Sequence, residues 1–404
     1  MRTVAVVGAS LAGLSAARAL RDQGYDGGLV LIGDEPHRPY DRPPLSKEFL
    51  AGRMSEADLA LETETEDLDA TWILGAAAEA LDPGERAVRL GDGRSVRADA
   101  VVIATGASAR TLPGTERLSG VHTLRTLDDA RALRADLAGA GRLVVIGAGF
   151  IGAEIASTAR TLGLHVTLVE PASAPLAAAI GAEMGAVVAG LQAGQGVEVL
   201  CGTGVREVTG TARAAGAPRV DGVILTDGRR VPADVVVVGI GARPGVGWLA
   251  GSGVDVGDGV LCDATGATTL PGVIAVGDCA AWFDPAAGSH RRVEHWTGAV
   301  RRPAVAVRAL LAGASAGSGS DIRPPEPPYF WSDQCGTRIQ FAGHARPGDE
   351  ITVEEGSLAD RSFVAVYRRG DRPVAVLGID LPRPFTRWRK RLAADALRSP
   401  APAA

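Results

Sequence analysis

The sequence predicts an α/β protein made of two doubly wound, parallel-sheet units and a small α+β domain at its C-terminal end. Two observations carry this. A strand, glycine turn and helix occur in that order twice, and each copy is followed by a strand that ends in a carboxylate. A third observation sets the connectivity: a late apolar strand ending in Gly277-Asp278 has no counterpart inside the second copy.

Taken in order, Thr3–Val7 is a short β-branched run that enters Gly8-Ala9-Ser10-Leu11-Ala12-Gly13, and residues 14–21 are rich in helix formers. A strand over 29–32 then delivers Asp34, 21 positions past the last glycine of the turn. The same grammar returns at 143–146, at Gly147-Ala148-Gly149-Phe150-Ile151-Gly152, in a helix over 153–162, and in a strand over 166–169 that ends in Glu170, 18 positions past its last glycine. Each copy closes with an apolar strand entering a glycine turn: 101–104 with Ala104-Thr105-Gly106, and Val235–Val238 with Gly239-Ile240-Gly241. The strand before Gly277 therefore implies that the first unit resumes after the second. The expected domains are 1–110 with 243–320, then 111–242, then 321–404, with a Gly, Ala, Ser and Pro rich linker over 312–328. Beyond it, alternating stretches at 363–367 and 374–379 predict a small antiparallel sheet.

Turns of this kind mark Rossmann-like dinucleotide-binding units. Their glycines let a pyrophosphate approach backbone N–H groups at a helix N-terminus that carries about half a positive charge. The acid at the end of the second strand takes ribose hydroxyls. One such turn is weak support, but two complete copies with their acids are strong. Ser10 replaces the middle glycine of the first copy and is expected to narrow the approach slightly. Glu170 favours NAD over NADP, since a carboxylate repels a 2'-phosphate, and no Arg or Lys occurs over 171–190.

Composition narrows the rest. With 404 residues, 46% of them apolar, the chain can build two or three cores. Its formal charge is -5 and its 42 basic residues are scattered, which argues against a nucleic-acid partner. Cys201, Cys262, Cys279 and Cys335 lie far apart with no CxxC or metal-ligand spacing, so no metal is expected and the thiols read as inert. Residues 1–20 superficially resemble a secretory signal, but the glycine turn explains them better. No uncharged apolar run reaches the roughly 20 residues of a membrane span, and the cytoplasm is the default location.

Together with the two glycine turns, the run Pro39-Tyr40-Asp41-Arg42-Pro43-Pro44-Leu45-Ser46-Lys47, Gly277-Asp278-Cys279-Ala280 and Trp331-Ser332-Asp333-Gln334 carry a resemblance that spans nearly the whole chain. The chain resembles the ferredoxin reductases of bacterial oxygenase systems. The resemblance implies a glutathione-reductase-like architecture, with FAD in the first domain and NADH in the inserted second. It also implies an iron-sulfur ferredoxin docked over the flavin, which takes electrons singly and feeds an oxygenase. Carried over by position, Gly8, Ser10, Leu11, Ala12, Gly13, Asp34, Lys47, Ala78, Ala104, Thr105, Gly106, Arg125, Gly277, Asp278 and Trp296 would bind FAD. Gly147, Gly149, Ile151, Gly152, Glu170 and Gly241 would hold NADH, and Glu154 would reach its nicotinamide edge. A Lys47–Glu154 pair is the expected catalytic element, since hydride transfer itself belongs to the cofactors. The chain departs from the family over 297–302, where an Asn and a Gln are usual.

A disulfide reductase of this architecture needs a cysteine pair beside the flavin, and a peroxidase needs one; 37–49 contains none. Cys279 follows a buried strand, which predicts a protonated thiol. The alternative is an NADH-responsive, weakly catalytic flavoprotein resembling apoptosis-inducing factor. Arg301 with Arg302, and Arg383, Arg387, Arg389, Lys390 and Arg391, are expected to face an acidic ferredoxin, the second group being equally open to reading as a solvated helix face.

Overall fold

The structure is a computed structural model that describes residues 1–212, 216–285, 287–313 and 327–398. Most of the expected 312–328 linker lies outside the described residues.

In chain order, the first unit opens with β1 (Thr3–Val7), α1 (Leu11–Asp22), β2 (Gly28–Ile32), β3 (Ala70–Ile73) and β4 (Ala100–Ile103). The second has α2 (Leu127–Leu137), β5 (Arg142–Ile146), α3 (Phe150–Thr161), β6 (His165–Glu170), α4 (Ala177–Gly194), β7 (Glu198–Cys201) and β8 (Val235–Val238). Then come β9 (Val273–Ala275) and α5 (Trp296–Ala312), followed by β10 (Tyr329–Gln334), β11 (Thr337–Gly343), β12 (Glu350–Ser357), β13 (Ser362–Arg369), β14 (Arg372–Ile379) and α6 (Pro382–Arg398).

Two five-stranded parallel sheets result, in the orders β9-β4-β1-β2-β3 and β7-β6-β5-β8 with Val121–His122 at the last edge. Strands β1, β2, β4, β5, β6 and β8 carry side chains buried on both faces, which is why they read as continuous apolar runs. β9 joins the first sheet from beyond the whole second unit. The matching edge of the second sheet is filled from the opposite direction, by Val121–His122, two residues too short to show any periodicity.

The duplication extends further than the glycine turns. Each unit carries a three-stranded antiparallel flap before its fourth strand. Its last turn is Asp92-Gly93 in one copy and Asp227-Gly228 in the other, and each aspartate accepts the backbone N–H and the guanidinium of the Arg two residues on. Asp99 then accepts the N–H groups of Arg2 and Thr3, and Asp234 those of Gly141 and Arg142. Each aspartate thus clasps the fourth strand to the start of the first.

The C-terminal sheet is antiparallel, in the order β10-β11-β14-β13-β12. Residues 363–367, in one of the stretches that predicted it, are all buried. Ile180, Met184, Val188 and Leu191 of α4 cover one face through Phe341, Phe363 and Tyr367, while Phe385 and Leu392 of α6 cover the other through Val364, Val366 and Val376. By length and composition α4 is apolar enough to cross a bilayer; here its apolar side is the wall between the second unit and the C-terminal sheet.

The proline-rich run of the first unit is likewise held by the second. Leu45, Phe49 and Leu50 pack in one core with Leu127 and Leu133 of α2 and Ile155 of α3. That anchoring sets Lys47 between the units.

Backbone N–H groups, and for Asp234 chiefly the Arg142 guanidinium, hold the Asp99 and Asp234 carboxyls below the usual 3.8. A carboxylate with a depressed folded value stabilises above its unfolded value, and that contribution is lost as pH falls through the folded one. Urea unfolding of Asp234→Asn is therefore expected to show lower stability at neutral pH and a flatter decline below about pH 4 than the parent protein.

Candidate functional site

The two glycine turns show which positions require glycine. Gly8 and Gly147 sit at φ +119 and +97, and a Cβ on them would lie 2.0 Å from the Ala104 carbonyl oxygen and 2.4 Å from that of Gly239. Cβ atoms on Gly13 and Gly152 would lie 1.8 and 2.1 Å from the Gly8 and Gly147 oxygens. The middle positions are different. Ser10 has φ -121 and ψ -165, ordinary extended backbone, and its hydroxyl accepts from Arg42 Nε at 3.3 Å. At Gly149 a Cβ would meet nothing within 4 Å, so the protein itself leaves that space clear. Neither α1 nor α3 has a side-chain N-cap, whereas α2 has a complete capping box from Thr126 and Asp129. The first-turn N–H groups of α1 and α3, which have no partner within their helices, face their turns. These open cradles fit two pyrophosphates.

Beyond the first turn, a cleft of about 250 Å³ opens at the carboxyl ends of β1 and β4, where the strand order reverses. Leu11, Ala12, Ala104, Gly106 and Asp278 line it from the first unit, Arg125, Ile151 and Glu154 from the second, and Phe330 and Trp331 from the C-terminal sheet. On its floor Lys47 Nζ stands 2.8 Å from Glu154 Oε2, with both side chains almost wholly buried. Ser46 donates to the same oxygen at 2.5 Å and Ser332 to Oε1 at 2.7 Å. Arg125 pairs with Asp278 at 2.7 Å. Arg42 bridges Glu35 and the Arg125 carbonyl, and Tyr40 donates to Glu35.

At the mouth, Trp296 donates to Asp41 and meets Trp331 edge to face, Trp331 stacks on Tyr329, and the Arg389 guanidinium lies over Tyr329. Trp296 remains 38% exposed and Ile151 41%, which leaves both in reach of a ligand. His295 also lines the cleft; burial pushes its imidazole down to about 4, so it is neutral at physiological pH.

The remaining positions lie along the same two cradles. Asp34 is exposed just past β2, beside the segment where Gly75 and Ala76 donate to Glu35 and Gly33; Ala78 follows two residues later, outside the cleft. Thr105 is fixed by donating to the Gly245 carbonyl, and Gly277 packs so closely on Ala12 that a Cβ would lie 2.6 Å from it. Glu170 Oε2 accepts the Ala148 N–H of the second turn. Gly241, at φ +100, turns the chain out of β8.

Several site features were not read from the sequence. Phe330 was missed, and Arg42 and Ser332 came only as parts of longer motifs. α3 turns Glu154, Ser157 and Thr158 inward, all buried, at a spacing that puts them on one helical face. Thr297, in the stretch departing from the family, donates to the Tyr329 carbonyl and ties α5 to β10. Arg302 is corrected: it does not present charge outward, but lies over the Trp282 ring, and burial lowers its pKa. The Cys262 thiol is pushed up to about 12 by burial, and the other three thiols are also raised, chiefly by burial. No cysteine lines the cleft, and no metal-binding cluster occurs among the described residues.

Residues 2–302 match the pyridine nucleotide-disulphide oxidoreductase family and residues 329–404 match the reductase C-terminal domain. The chain is 39% identical to the ferredoxin reductase component of chlorobenzene dioxygenase from Cupriavidus sp. (strain PS12), over 98% of this chain and 94% of the relative. This chain belongs to the oxygenase-system ferredoxin reductases. It is also 37% identical to the ferredoxin–NAD(+) reductase component of the biphenyl dioxygenase system of Paraburkholderia xenovorans (strain LB400), over 95% and 91% of the two chains. Among solved structures, putidaredoxin reductase in covalent complex with putidaredoxin superposes with a TM-score of 0.89 at 32% identity, over 97% of this chain and 93% of that one. Members of the wider family carry FAD, and the first cradle fits its pyrophosphate.

Gly152→Ala is expected to lose more than about 3 kcal/mol of stability, because both the Gly147 carbonyl and the turn must move. Ser10→Gly is expected to keep full flavin content. Thermal unfolding and the flavin-to-protein absorbance ratio check both.

Proposed function

We propose that the protein is an NADH-dependent ferredoxin reductase: hydride passes from NADH to FAD, and electrons leave one at a time for an iron-sulfur ferredoxin that serves a monooxygenase or dioxygenase. The observation that carries the reading is the cleft itself. It has a buried Lys47–Glu154 floor, walls from both nucleotide-binding units, an aromatic mouth open to solvent, and no thiol. Bound FAD would accept a hydride and release single electrons, the chemistry that the protein only has to position.

On this reading residues 1–110 with 243–320 form the FAD domain, 111–242 the NAD domain and 321–404 the C-terminal domain. Leu11, Ala12 and Gly13 offer N–H groups to the FAD pyrophosphate, Asp34 takes the adenosine ribose, and Ala78 lies toward the adenine. Asp278, oriented by Arg125, binds the ribityl chain, and Trp296 flanks the ring. Lys47 supplies positive charge at the cleft floor, and its pairing with Glu154 limits the cost of burying an ammonium. Gly147, Gly149, Ile151, Gly152 and Gly241 hold NADH. Glu170, already fixed by the Ala148 N–H, meets the ribose hydroxyls. We place the protein in the cytoplasm.

Anaerobic stopped-flow with NADH, followed by an oxygenase-system ferredoxin, is expected to give fast flavin bleaching and fast reoxidation. Slow bleaching into a long-lived charge-transfer complex, with no ferredoxin reduction, would overturn this in favour of an NADH-responsive binding flavoprotein. Steady-state kinetics should give kcat/KM for NADH above that for NADPH, with the gap narrowed by Glu170→Ala. Equal use of the two coenzymes by the parent protein would rule out the assigned role of Glu170.

A further inference from the structure

Behind Glu154 runs a chain of buried polar groups. Ser332 donates to Glu154 Oε1 at 2.7 Å, Gln334 donates to the Ser332 hydroxyl at 3.1 Å, and Gln192 donates to the Gln334 amide oxygen at 2.7 Å and to the Ala153 carbonyl at 3.0 Å. Exposure along the chain is 5% at Glu154, 0% at Ser332, 2% at Gln334 and 0% at Gln192, so water does not substitute for any link. Burying four polar side chains costs free energy unless each is paired, and apolar residues would fill the same space more cheaply. The Gln192 amide oxygen is left without a partner, so the chain does not even satisfy itself.

Its direction is fixed by its end. A carboxylate only accepts, so the Ser332 hydroxyl must donate to it; the hydroxyl oxygen then accepts from Gln334, whose oxygen accepts from Gln192. We propose that Ser332, backed by Gln334 and Gln192, is a positioning relay that locks the Glu154 carboxylate in the orientation that meets the nicotinamide. It rests on the reading of Glu154 given above. Lys47 and Ser46 both hold Oε2, and Ser332 is what holds the other oxygen, Oε1. With that bond removed only Oε2 is held, and Oε1 can shift about the Lys47 and Ser46 contacts. The relay thereby makes the C-terminal sheet part of the coenzyme site, although β10 belongs to neither nucleotide-binding unit.

The test is anaerobic reduction of the FAD-loaded protein by varied NADH, for the parent, Ser332→Ala and Ser332→Thr. Ser332→Ala is expected to raise the NADH concentration for half-maximal reduction by roughly tenfold, the scale of a lost hydrogen bond to a charged group, and to weaken the long-wavelength nicotinamide–flavin absorbance. Reoxidation of the dithionite-reduced variant by ferricyanide should stay at the parent rate, and Ser332→Thr should restore NADH saturation. If Ser332→Ala fails to accumulate as a flavoprotein, Gln334→Met cuts the relay one link back and should shift saturation in the same direction by less. Parent-like NADH saturation in the alanine variant, or in Gln334→Met where that variant takes its place, overturns the relay alone. A parent protein that NADH does not reduce overturns the assigned function and the relay with it.

Discussion

One buried carboxylate gathers three parts of the chain. Glu154 sits on α3 of the second unit, its cation Lys47 and the Ser46 hydroxyl come from the first, and Ser332 comes from the C-terminal sheet. An unpartnered charge at that depth costs about 3–5 kcal/mol, so the carboxylate depends on its cation from the first unit, and Ser332 adds a hydrogen bond to the oxygen that Lys47 leaves open. Leu45, Phe49 and Leu50 reinforce this by packing the loop that carries Lys47 into the core of the second unit.

Around that centre the duplicated units divide the work by small departures from identity. The first and third glycines of each turn are needed by the protein's own backbone, whereas the middle position serves what lies outside it. That explains why Ser10 stands where the second copy has Gly149 without disturbing the turn: its extended backbone needs no glycine, and its hydroxyl finds Arg42. The repeated Asp99 and Asp234 clasps show the same economy, since one short side chain fixes two N–H groups at the start of each central strand.

Much of this was legible in sequence because parallel sheets buried on both faces write themselves as unbroken apolar runs, and glycines forced by close approach cannot be replaced. Asp34 and Glu170 were legible for the same reason, being tied to those runs by spacing. What escaped was set by contacts distant in sequence. Val121–His122 is a strand only because β8 offers it an edge. One face of the C-terminal sheet is covered by a helix more than a hundred residues away. Arg302 gave no hint that an aromatic ring would take its guanidinium inward. Ser332 could be seen as part of a motif, but its partner lies 178 positions upstream.

The shared wall formed by α4 has a consequence for how the chain is made. A ribosome releases the second unit well before the sheet that covers Ile180, Met184, Val188 and Leu191. During that interval the nascent protein displays a helix as apolar as a membrane segment, the kind of surface that recruits chaperones or seeds aggregation. Synthesis of the last strands thus ends a period of exposure as well as completing a domain. A chain that stalled or was cut after α5 would keep that apolar side uncovered.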